Sequence, residues 1–386
     1  MEKRCYRAAI IGSGMIAGSA HIPAFLALGD RVCLSAICGR NRDTVTKLAD
    51  TFAIPHRYTD AGEMLRREKP DLVSICTPNQ SHEAYIQLAL EAGCHVICEK
   101  PVSLDSAHLR RLYQLASKKG KLLVACQNVR FRPEWFQAKA CLEAGMLGEV
   151  VDARFQRIRS RGIPSWGSFH RKEASGGGCM ADIGVHMLDA MLWILGNPTV
   201  RSVTGFTSDR LFRTTPALCC EPGMSGAGNA QVAGKNIREE YDVEEYATGI
   251  ARLDGDIPLS FQVAWAANLP ETTAFQILGT KASLTSPGMQ LFDGKQFLLC
   301  PPPPAPWNDP AVLLPGESGH RHVFAHVVGV LDGTQRLEIT PEQTQNVCMA
   351  LELFYRSAET GTECLARETG IGGEEMPQWK ANRTGD

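Results

Sequence analysis

Short apolar runs alternate with amphipathic stretches through the first part of the chain. The runs are rich in β-branched residues and end at turn residues, which is typical of strands covered on both faces. They predict strands over residues 7–11, 32–38, 72–76, 95–98 and 122–125. Between them, helical spacing of apolar residues predicts helices over 21–28, 42–52, 61–68, 82–92 and 105–119. This alternation predicts an α/β domain with a doubly wound parallel sheet over residues 1–130.

The pattern changes after residue 130. The sequence predicts a helix over 133–144 and then strands over 150–159, 200–208, 245–253, 258–265 and 274–278. Consecutive strands with few helices favour a mostly antiparallel sheet. One helix over 182–195 interrupts the strands, and two more follow over 321–330 and 341–359. We therefore expect a second, α+β domain with a large open sheet over 131–366, a long loop over 209–240 and a polar tail over 367–386.

Composition excludes several classes of function. Of 386 residues, 40 are Lys or Arg and 42 are Asp or Glu, so the near balance gives no case for nucleic acid or a membrane surface as partner. The apolar run from Ala8 to Ile11 is too short for a signal peptide or a membrane span. We expect a cytoplasmic protein whose 14 scattered cysteines are reduced thiols, and no metal at Cys219-Cys220.

A glycine-rich turn follows the first predicted strand. Gly12-Ser13-Gly14-Met15-Ile16-Ala17 has the G-x-G-x-x-G/A form and precedes a helical pattern. The first glycine permits the tight turn, the second lets the backbone approach a pyrophosphate, and the small third residue lets helix and strand pack closely. Free N–H groups at the helix start then bind phosphate. Glycines in such a turn can be purely structural, but the context predicts dinucleotide binding.

The end of the second predicted strand bears on the choice between NAD and NADP. An acidic residue there would bind the ribose 2′-hydroxyl of NAD. This chain has Arg40, which is suited to pairing a 2′-phosphate. NADP is therefore slightly favoured over NAD, and the alternative is that Arg40 belongs to a solvated basic turn.

Six further short motifs are spread along the chain. They are Thr77-Pro78-Asn79-Gln80-Ser81-His82, Glu99-Lys100-Pro101, Gln127-Asn128-x-Arg130-Phe131, Gly176-Gly177-Gly178-x-x-x-Asp182-x-Gly184-x-His186-x-x-Asp189, Ile277-Leu278-Gly279-Thr280-Lys281 and Tyr355-Arg356-Ser357-Ala358-Glu359-Thr360-Gly361. With the glycine turn, this set resembles the glucose–fructose oxidoreductase, inositol dehydrogenase and rhizopine catabolism (Gfo/Idh/MocA) family over nearly the whole chain.

The resemblance implies a Rossmann domain that binds NAD or NADP, an α/β domain with a large open sheet, and dimers or tetramers built through that sheet. With the turn and Arg40, it gives these expected cofactor-binding residues: Gly12, Gly14, Met15, Ile16, Arg40, Thr77, Pro78, Asn79, His82, Glu99, Lys100 and Gln127. The loop over 209–240 is longer than many relatives need, which puts the substrate's identity in doubt rather than the type of reaction.

The resemblance also assigns Lys100 and His186 to the chemistry of alcohol oxidation. Lys100 follows a strand end, where sites of α/β proteins collect, and its ammonium can donate to the reacting oxygen. The alternative is an exposed surface lysine.

Asp182, His186 and Asp189 are spaced to share one helix face. We assign proton transfer to His186, substrate binding or orientation of Lys100 to Asp182, and support of the imidazole or capping of local structure to Asp189. The alternative is a polar stripe on a solvated helix.

Weaker candidates surround this set. His82 contacts the cofactor or caps a helix; Trp166 stacks on nicotinamide or sugar, or is a core residue; Arg130 and Arg159 contact substrate or form salt bridges. Gly176–Gly178 and Gly184 would let backbone approach the ligands.

The predicted function is hydride transfer between NAD(P) and a small-molecule sugar or polyol. Alternatives are an enzyme that retains its NAD and cleaves or epimerises glycosides by transient oxidation, a metal-dependent lyase or hydrolase using Asp182, His186 and Asp189, and a non-catalytic NAD(P) sensor. We expect no metal at this site.

Overall fold

The computed structural model describes residues 4–216, 220–221, 236–302 and 319–369. The chain folds as two compact units. Within the described ranges, unit 1 comprises residues 4–128 and 319–345, and unit 2 comprises the rest. The first boundary lies close to the predicted one at residue 130. The sequence placed 319–345 in the second domain, whereas the structure groups this segment with unit 1.

The strands and helices are numbered along the chain. The strands are β1 Tyr6–Ile11, β2 Val32–Cys38, β3 His56–Tyr58, β4 Leu72–Ile75, β5 His95–Cys98, β6 Leu123–Ala125, β7 Val150–Ile158, β8 Val200–Ser208, β9 Tyr246–Leu253, β10 Ile257–Ala264, β11 Thr272–Gly279, β12 Ser283–Ser286, β13 Gln290–Phe292, β14 Phe297–Leu298 and β15 Cys364–Leu365. The α-helices are α1 Ile22–Leu26, α2 Arg42–Thr51, α3 Ala61–Glu68, α4 His82–Glu91, α5 Ser106–Lys118, α6 Pro133–Glu143, α7 Lys172–Ser175, α8 Val185–Ile194, α9 Arg210–Thr214, α10 His320–Leu331 and α11 Pro341–Thr360. Two π-helical segments, Ala17–His21 and Met180–Gly184, lead into α1 and α8.

Unit 1 contains a six-stranded parallel sheet in the order β3-β2-β1-β4-β5-β6. The order reverses between β1 and β4, and ligands of open α/β sheets bind at such a switch point, beyond the carboxyl ends of the strands. The central strands are almost wholly buried, with Ile10, Ile75 and Ile97 at 0% exposure. The predicted doubly wound sheet is therefore confirmed.

Unit 2 contains a nine-stranded sheet in the order β14-β13-β12-β11-β7-β10-β9-β8-β15. Its paired strands are antiparallel except for β7 and β10. The register between β7 and β10 places Arg157 beside Val263 and Phe155 beside Phe261, whose rings stack at 5.5 Å. The predicted large and mostly antiparallel sheet is confirmed.

The sequence missed the shortest elements. Strand β3 is mostly exposed and has no apolar alternation, and β12, β13, β14 and β15 each contain only two to four residues. Helix α9 lies inside the predicted loop over 209–240, of which residues 217–219 and 222–235 lie outside the described part. Over the described residues, no helix combines the length and apolar character that crossing a membrane requires.

Candidate active site

The glycine turn lies at the carboxyl end of β1. Gly12 has φ +121°, a conformation that side-chain-bearing residues rarely adopt, and its N–H donates to the Cys38 carbonyl at 2.8 Å. A Cβ on Gly12 would lie 2.5 Å from the Cys76 carbonyl oxygen. A Cβ on Gly14, in contrast, would meet no described atom within 4 Å. The first glycine is therefore required for packing, and the second leaves the start of the helix open to a ligand.

Arg40 is exposed just past the end of β2. The side chain of the next residue, Asn41, accepts hydrogen bonds from the N–H groups of Asp43 and Thr44 and so caps α2. This cap fixes the turn that carries Arg40. Gly39 packs against Ser13 of the glycine turn, where a Cβ would lie 2.3 Å from the Ser13 hydroxyl.

The turns after β4 and β5 are joined by His82. Its ring is fully buried, with Nδ1 2.8 Å from the Pro101 carbonyl oxygen and Nε2 2.9 Å from that of Thr77. Burial lowers the pKa of His82. The side chain does not cap α4. His82 thus links the segment Thr77-Pro78-Asn79 to the Lys100-Pro101 turn within unit 1.

Glu99 and Lys100 follow β5 but differ in environment. Lys100 is half-buried, and its N–H donates to the Glu99 carboxylate at 3.1 Å. Glu99 was expected among the cofactor-binding residues, but its carboxylate points into unit 1, where His21 and His320 bind it at 2.8 and 3.0 Å. A carboxylate in an apolar interior needs such donors.

Gln127 follows β6 and is 2% exposed. Its side-chain oxygen is buried and has no hydrogen-bond partner among the described residues. Unpaired buried acceptors are uncommon because leaving one unpaired costs about 1–3 kcal/mol. Together with the open approach at Gly14, this acceptor fits the amide and hydroxyl donors of a nicotinamide dinucleotide.

In unit 2, the π-helical segment Met180–Gly184 and α8 carry the predicted catalytic pair. From residue 177 to residue 194, every residue is buried except Asp182 and His186. The Asp182 carboxylate accepts a hydrogen bond from the Trp265 indole at 2.9 Å. A carboxylate and an imidazole are therefore the accessible side chains of an otherwise buried segment, which excludes the solvated polar stripe.

Asp189 does not support the imidazole as expected. Its carboxylate accepts two hydrogen bonds from the Arg130 guanidinium, one at 2.6 Å, and both side chains are 1% exposed. A buried guanidinium requires such a partner. Arg130 was expected to contact substrate or to form a salt bridge, and in the structure it forms the salt bridge. Since Asp189 is bound to Arg130, the three-ligand metal set with Asp182 and His186 is not formed.

The glycine-rich stretch before Asp182 packs against two residues from elsewhere in unit 2. A Cβ on Gly178 would lie 1.9 Å from the Glu244 carbonyl oxygen, and a Cβ on Gly177 would lie 2.1 Å from the Tyr355 hydroxyl. A Cβ on Gly184 would lie 2.5 Å from the Met180 sulfur and 3.1 Å from a Val263 methyl group, both side-chain atoms. Gly176–Gly178 and Gly184 were expected to let backbone approach the ligands, but the contacts at Gly177 and Gly178 show that the fold itself requires these two.

Glu244 and Tyr355 hold that stretch through hydrogen bonds. The fully buried Glu244 carboxylate accepts from Gly178 N at 2.8 Å, Met180 N at 3.1 Å and the Tyr355 hydroxyl at 2.9 Å. Tyr355 in turn accepts from Ala181 N at 3.0 Å. Burial raises the pKa of both Glu244 and Tyr355. Hydrogen bonds to Glu244 and Tyr355 thus fix the main chain that leads to Asp182.

Comparison with known proteins identifies this arrangement. Residues 6–126 match the family described as oxidoreductases with an NAD-binding Rossmann fold, and residues 135–285 match the GFO/IDH/MocA C-terminal domain. The D-glucoside 3-dehydrogenase of Escherichia coli K12 is 32% identical over 359 residues, covering 92% of this chain and 96% of that protein. The chain belongs to the Gfo/Idh/MocA oxidoreductase family. The predictions of the family and of an NAD-binding oxidoreductase are confirmed.

Solved structures have the same fold as this Gfo/Idh/MocA chain. GenD2 from gentamicin A biosynthesis, in complex with NAD, is 25% identical with a TM-score of 0.72, covering 94% of this chain and 96% of that one. Levoglucosan dehydrogenase, in complex with NADH and levoglucosan, is 18% identical with a TM-score of 0.77, covering 94% of this chain and 100% of that one. At this lower identity the likeness concerns the fold alone.

Sequence reasoning about this Gfo/Idh/MocA chain missed the residues that hold the site. Trp265, Glu244 and His320 gave no local signal, because each is distant in sequence from the residue that it binds. Trp166, predicted to stack on a ligand or to lie in the core, is half-buried and contacts Phe169 edge-on at 4.8 Å. That contact favours neither alternative.

Proposed function

We propose that this Gfo/Idh/MocA chain is an NAD(P)-dependent dehydrogenase that interconverts a secondary alcohol and a ketone on a sugar or related cyclic polyol. The observation that carries the proposal is the accessible pair of Asp182 and His186 on a segment that is otherwise buried. The relative named D-glucoside 3-dehydrogenase supports a sugar as the substrate class.

Each residue has a defined task in the proposed oxidation. A nicotinamide, when bound, would supply the acceptor for the hydride of the carbinol carbon. His186, as a neutral imidazole, takes the hydroxyl proton, and the Lys100 ammonium donates to the oxygen as it gains negative charge. Asp182, oriented by Trp265, binds a neighbouring sugar hydroxyl. Reduction of the ketone uses the same groups in reverse, with the proton returning from His186.

The test is the steady-state rate of sugar oxidation in His186→Asn. Loss of a general base typically costs about 10²–10⁴-fold in kcat, and NAD(P)H should bind the variant as it binds the wild type. His170→Asn is the matched control, because His170 is a buried histidine of the same unit whose ring contacts Glu240. Equal activities of the two variants would overturn the assignment of His186.

We propose that Arg40 makes NADP the slightly favoured cofactor. Its support is the exposed guanidinium at the end of β2; GenD2 and levoglucosan dehydrogenase, by contrast, were solved with NAD and NADH. Fluorescence titration of wild type and Arg40→Asp with NADPH and NADH decides the matter. We expect NADPH to bind about tenfold tighter than NADH to the wild type alone, which is about 1.4 kcal/mol. Tighter binding of NADH to both proteins would contradict the preference.

A homodimer or homotetramer built through the unit 2 sheet is also proposed. That sheet leaves Phe206, Ile250 and Leu278 exposed by 60%, 43% and 44%. Exposed apolar side chains grouped on one sheet are typical of an interface. Light scattering of the purified protein should give two or four chains, and a monomer would contradict the proposal. The cytoplasmic location stays a prediction.

A further inference from the structure

A buried cluster of four side chains lies beneath Lys100 in unit 1. Its members, His21, Glu99, Cys126 and His320, are all buried, and the ligand atoms that they offer lie within 4.8 Å of one another. His21 ends the π-helical segment after the glycine turn, Glu99 directly follows β5, Cys126 directly follows β6, and His320 begins α10. The reaction proposed above gives this cluster no role.

The Glu99 carboxylate in this cluster receives a full set of donors. One oxygen is bound by His21 Nε2 at 2.8 Å and by His320 Nε2 at 3.0 Å, and the other accepts the Lys100 N–H at 3.1 Å. The Cys126 thiol also bonds to Glu99, and burial with this contact raises the pKa of Cys126 well above its usual value, so the thiol keeps its proton. Four donors satisfy two carboxylate oxygens without a metal ion.

The Glu99 carboxylate decides where the hydrogen of each ring lies. An ionised carboxylate can only accept, so Nε2 of His21 and Nε2 of His320 each carry a hydrogen that they donate to Glu99. On the far side of the rings, His21 Nδ1 lies 2.6 Å from the Ser74 hydroxyl, and His320 Nδ1 lies 3.4 Å from the Asn128 side-chain nitrogen. Burial lowers the pKa of His21, which keeps that ring neutral despite the Glu99 carboxylate.

Glu99 is accordingly a buried anion held by hydrogen-bond donors. Burial alone would raise its pKa, but the hydrogen bonds from His21 and His320 outweigh burial and hold the pKa of Glu99 well below its usual range. Burial also favours the uncharged forms of three other side chains close to Glu99. Burial raises the pKa of the Cys76 and Cys98 thiols, and it lowers the pKa of His82.

We propose that Glu99, held by His21 and His320, is a positioning residue that fixes the main chain of Lys100 for the dehydrogenase reaction. The proposal rests on the function proposed above, because Lys100 is the residue that it serves. Because the Lys100 N–H is bound to Glu99, the main-chain position from which the Lys100 side chain extends is fixed. The ammonium at the end of that side chain donates to the reacting oxygen. Disturbing such supporting contacts typically costs about 10–100-fold in activity.

The kinetic test compares two substitutions at each histidine. Gln keeps a side-chain N–H donor to Glu99, whereas Leu removes it. We expect His320→Gln and His21→Gln to keep kcat within about threefold, and the Leu variants to lose about 10–100-fold in kcat with little change in sugar KM. His326→Leu is the control, because His326 is a buried histidine of the same helix that bonds to Gln335 instead. Equal loss in the Gln and Leu variants would overturn the positioning role.

A second measurement needs neither turnover nor a substitution that endangers folding. Nitrogen NMR of ¹⁵N-histidine-labelled wild type, assigned with the Gln variants, should show hydrogen on Nε2 of both His21 and His320. A ring without hydrogen on Nε2, or a stoichiometric divalent metal found by elemental analysis, would overturn the proposal. Failure of the proposed function would appear separately, as a wild type that shows these tautomers but does not oxidise any sugar.

Discussion

A buried glutamate precedes Lys100 in unit 1, and another binds the main chain before Asp182 in unit 2, but the two carboxylates are stabilised differently. In unit 1, Glu99 accepts mainly from side chains, His21 and His320 among them. In unit 2, Glu244 accepts from two main-chain N–H groups and the Tyr355 hydroxyl. The pKa of Glu99 lies well below its usual range, while burial raises that of Glu244.

The difference shows two ways to fix a main chain next to reactive groups. At Glu99 the carboxylate is the fixed element, and a single N–H, that of Lys100, is attached to it. At Glu244 the carboxylate accepts from the main chain at Gly178 and Met180, and position 178 has no room for a side chain because a Cβ would lie 1.9 Å from the Glu244 carbonyl oxygen. The stability of the two units should therefore respond differently when their glycines or supporting side chains are substituted, and when the pH changes.

The largest expected effect is on the glycines. Gly178→Ala places a Cβ 1.9 Å from a carbonyl oxygen, so we expect the free energy of unfolding to fall by about 3 kcal/mol or more. Gly14→Ala meets no described atom and should change stability by less than about 1 kcal/mol while weakening NAD(P)H binding. Urea unfolding and cofactor titration measure the two effects. Equal stability losses would contradict the division between packing and ligand approach.

A smaller effect is expected for Tyr355→Phe. The substitution removes one donor to Glu244 and leaves Ala181 N without its acceptor, which should cost about 1–3 kcal/mol. Tyr246→Phe is the control, because the Tyr246 hydroxyl bonds to Gln262 on a partly exposed part of the sheet. Thermal or urea unfolding should rank the Tyr355 variant below this control, and the opposite order would show that the Glu244 contacts do not hold the segment.

The smallest effect is the pH dependence of stability. Because the folded-state pKa of Glu99 is depressed, its contribution is present above the unfolded value of about 4.3 and is lost as pH falls. Because that of Glu244 is raised, its contribution is present below about 4.3 and is lost as pH rises through the folded value.

Glutamine at either position removes the titration, so unfolding of Glu99→Gln and Glu244→Gln against pH isolates each term. The stability gap between wild type and variant should widen with rising pH for Glu99 and narrow for Glu244. Slopes of the same sign would contradict the contrast between the two carboxylates.

The sequence predicted features that depend on neighbouring residues, but not features that depend on residues far apart in the chain. Gly12 and Gly14 were predictable because a strand, a turn and a helix start are local patterns. The accessible residues Asp182 and His186 stood out as polar positions in an apolar helix. His320 was not predictable as a partner of Glu99, because residues 319–345 return to unit 1 only in the fold.

The same limit applies within the predicted motifs. Asp189 has helical spacing relative to His186, but the choice of Arg130 as its partner depends on tertiary packing. Strand β3 carries too few apolar side chains to show a pattern, and only its pairing with β2 defines it.

Transfer of hydrogen from the sugar carbon to the cofactor is the most direct test of the proposed function. Purified protein would be mixed with NAD⁺ or NADP⁺ and a glycoside fully deuterated on carbon, and the cofactor analysed by mass spectrometry, whether free or released from the protein. The account predicts one deuterium on the nicotinamide in the wild type and far less with His186→Asn. A cofactor that stays unlabelled with every sugar tested, although it binds, would contradict hydride transfer as the function of this chain.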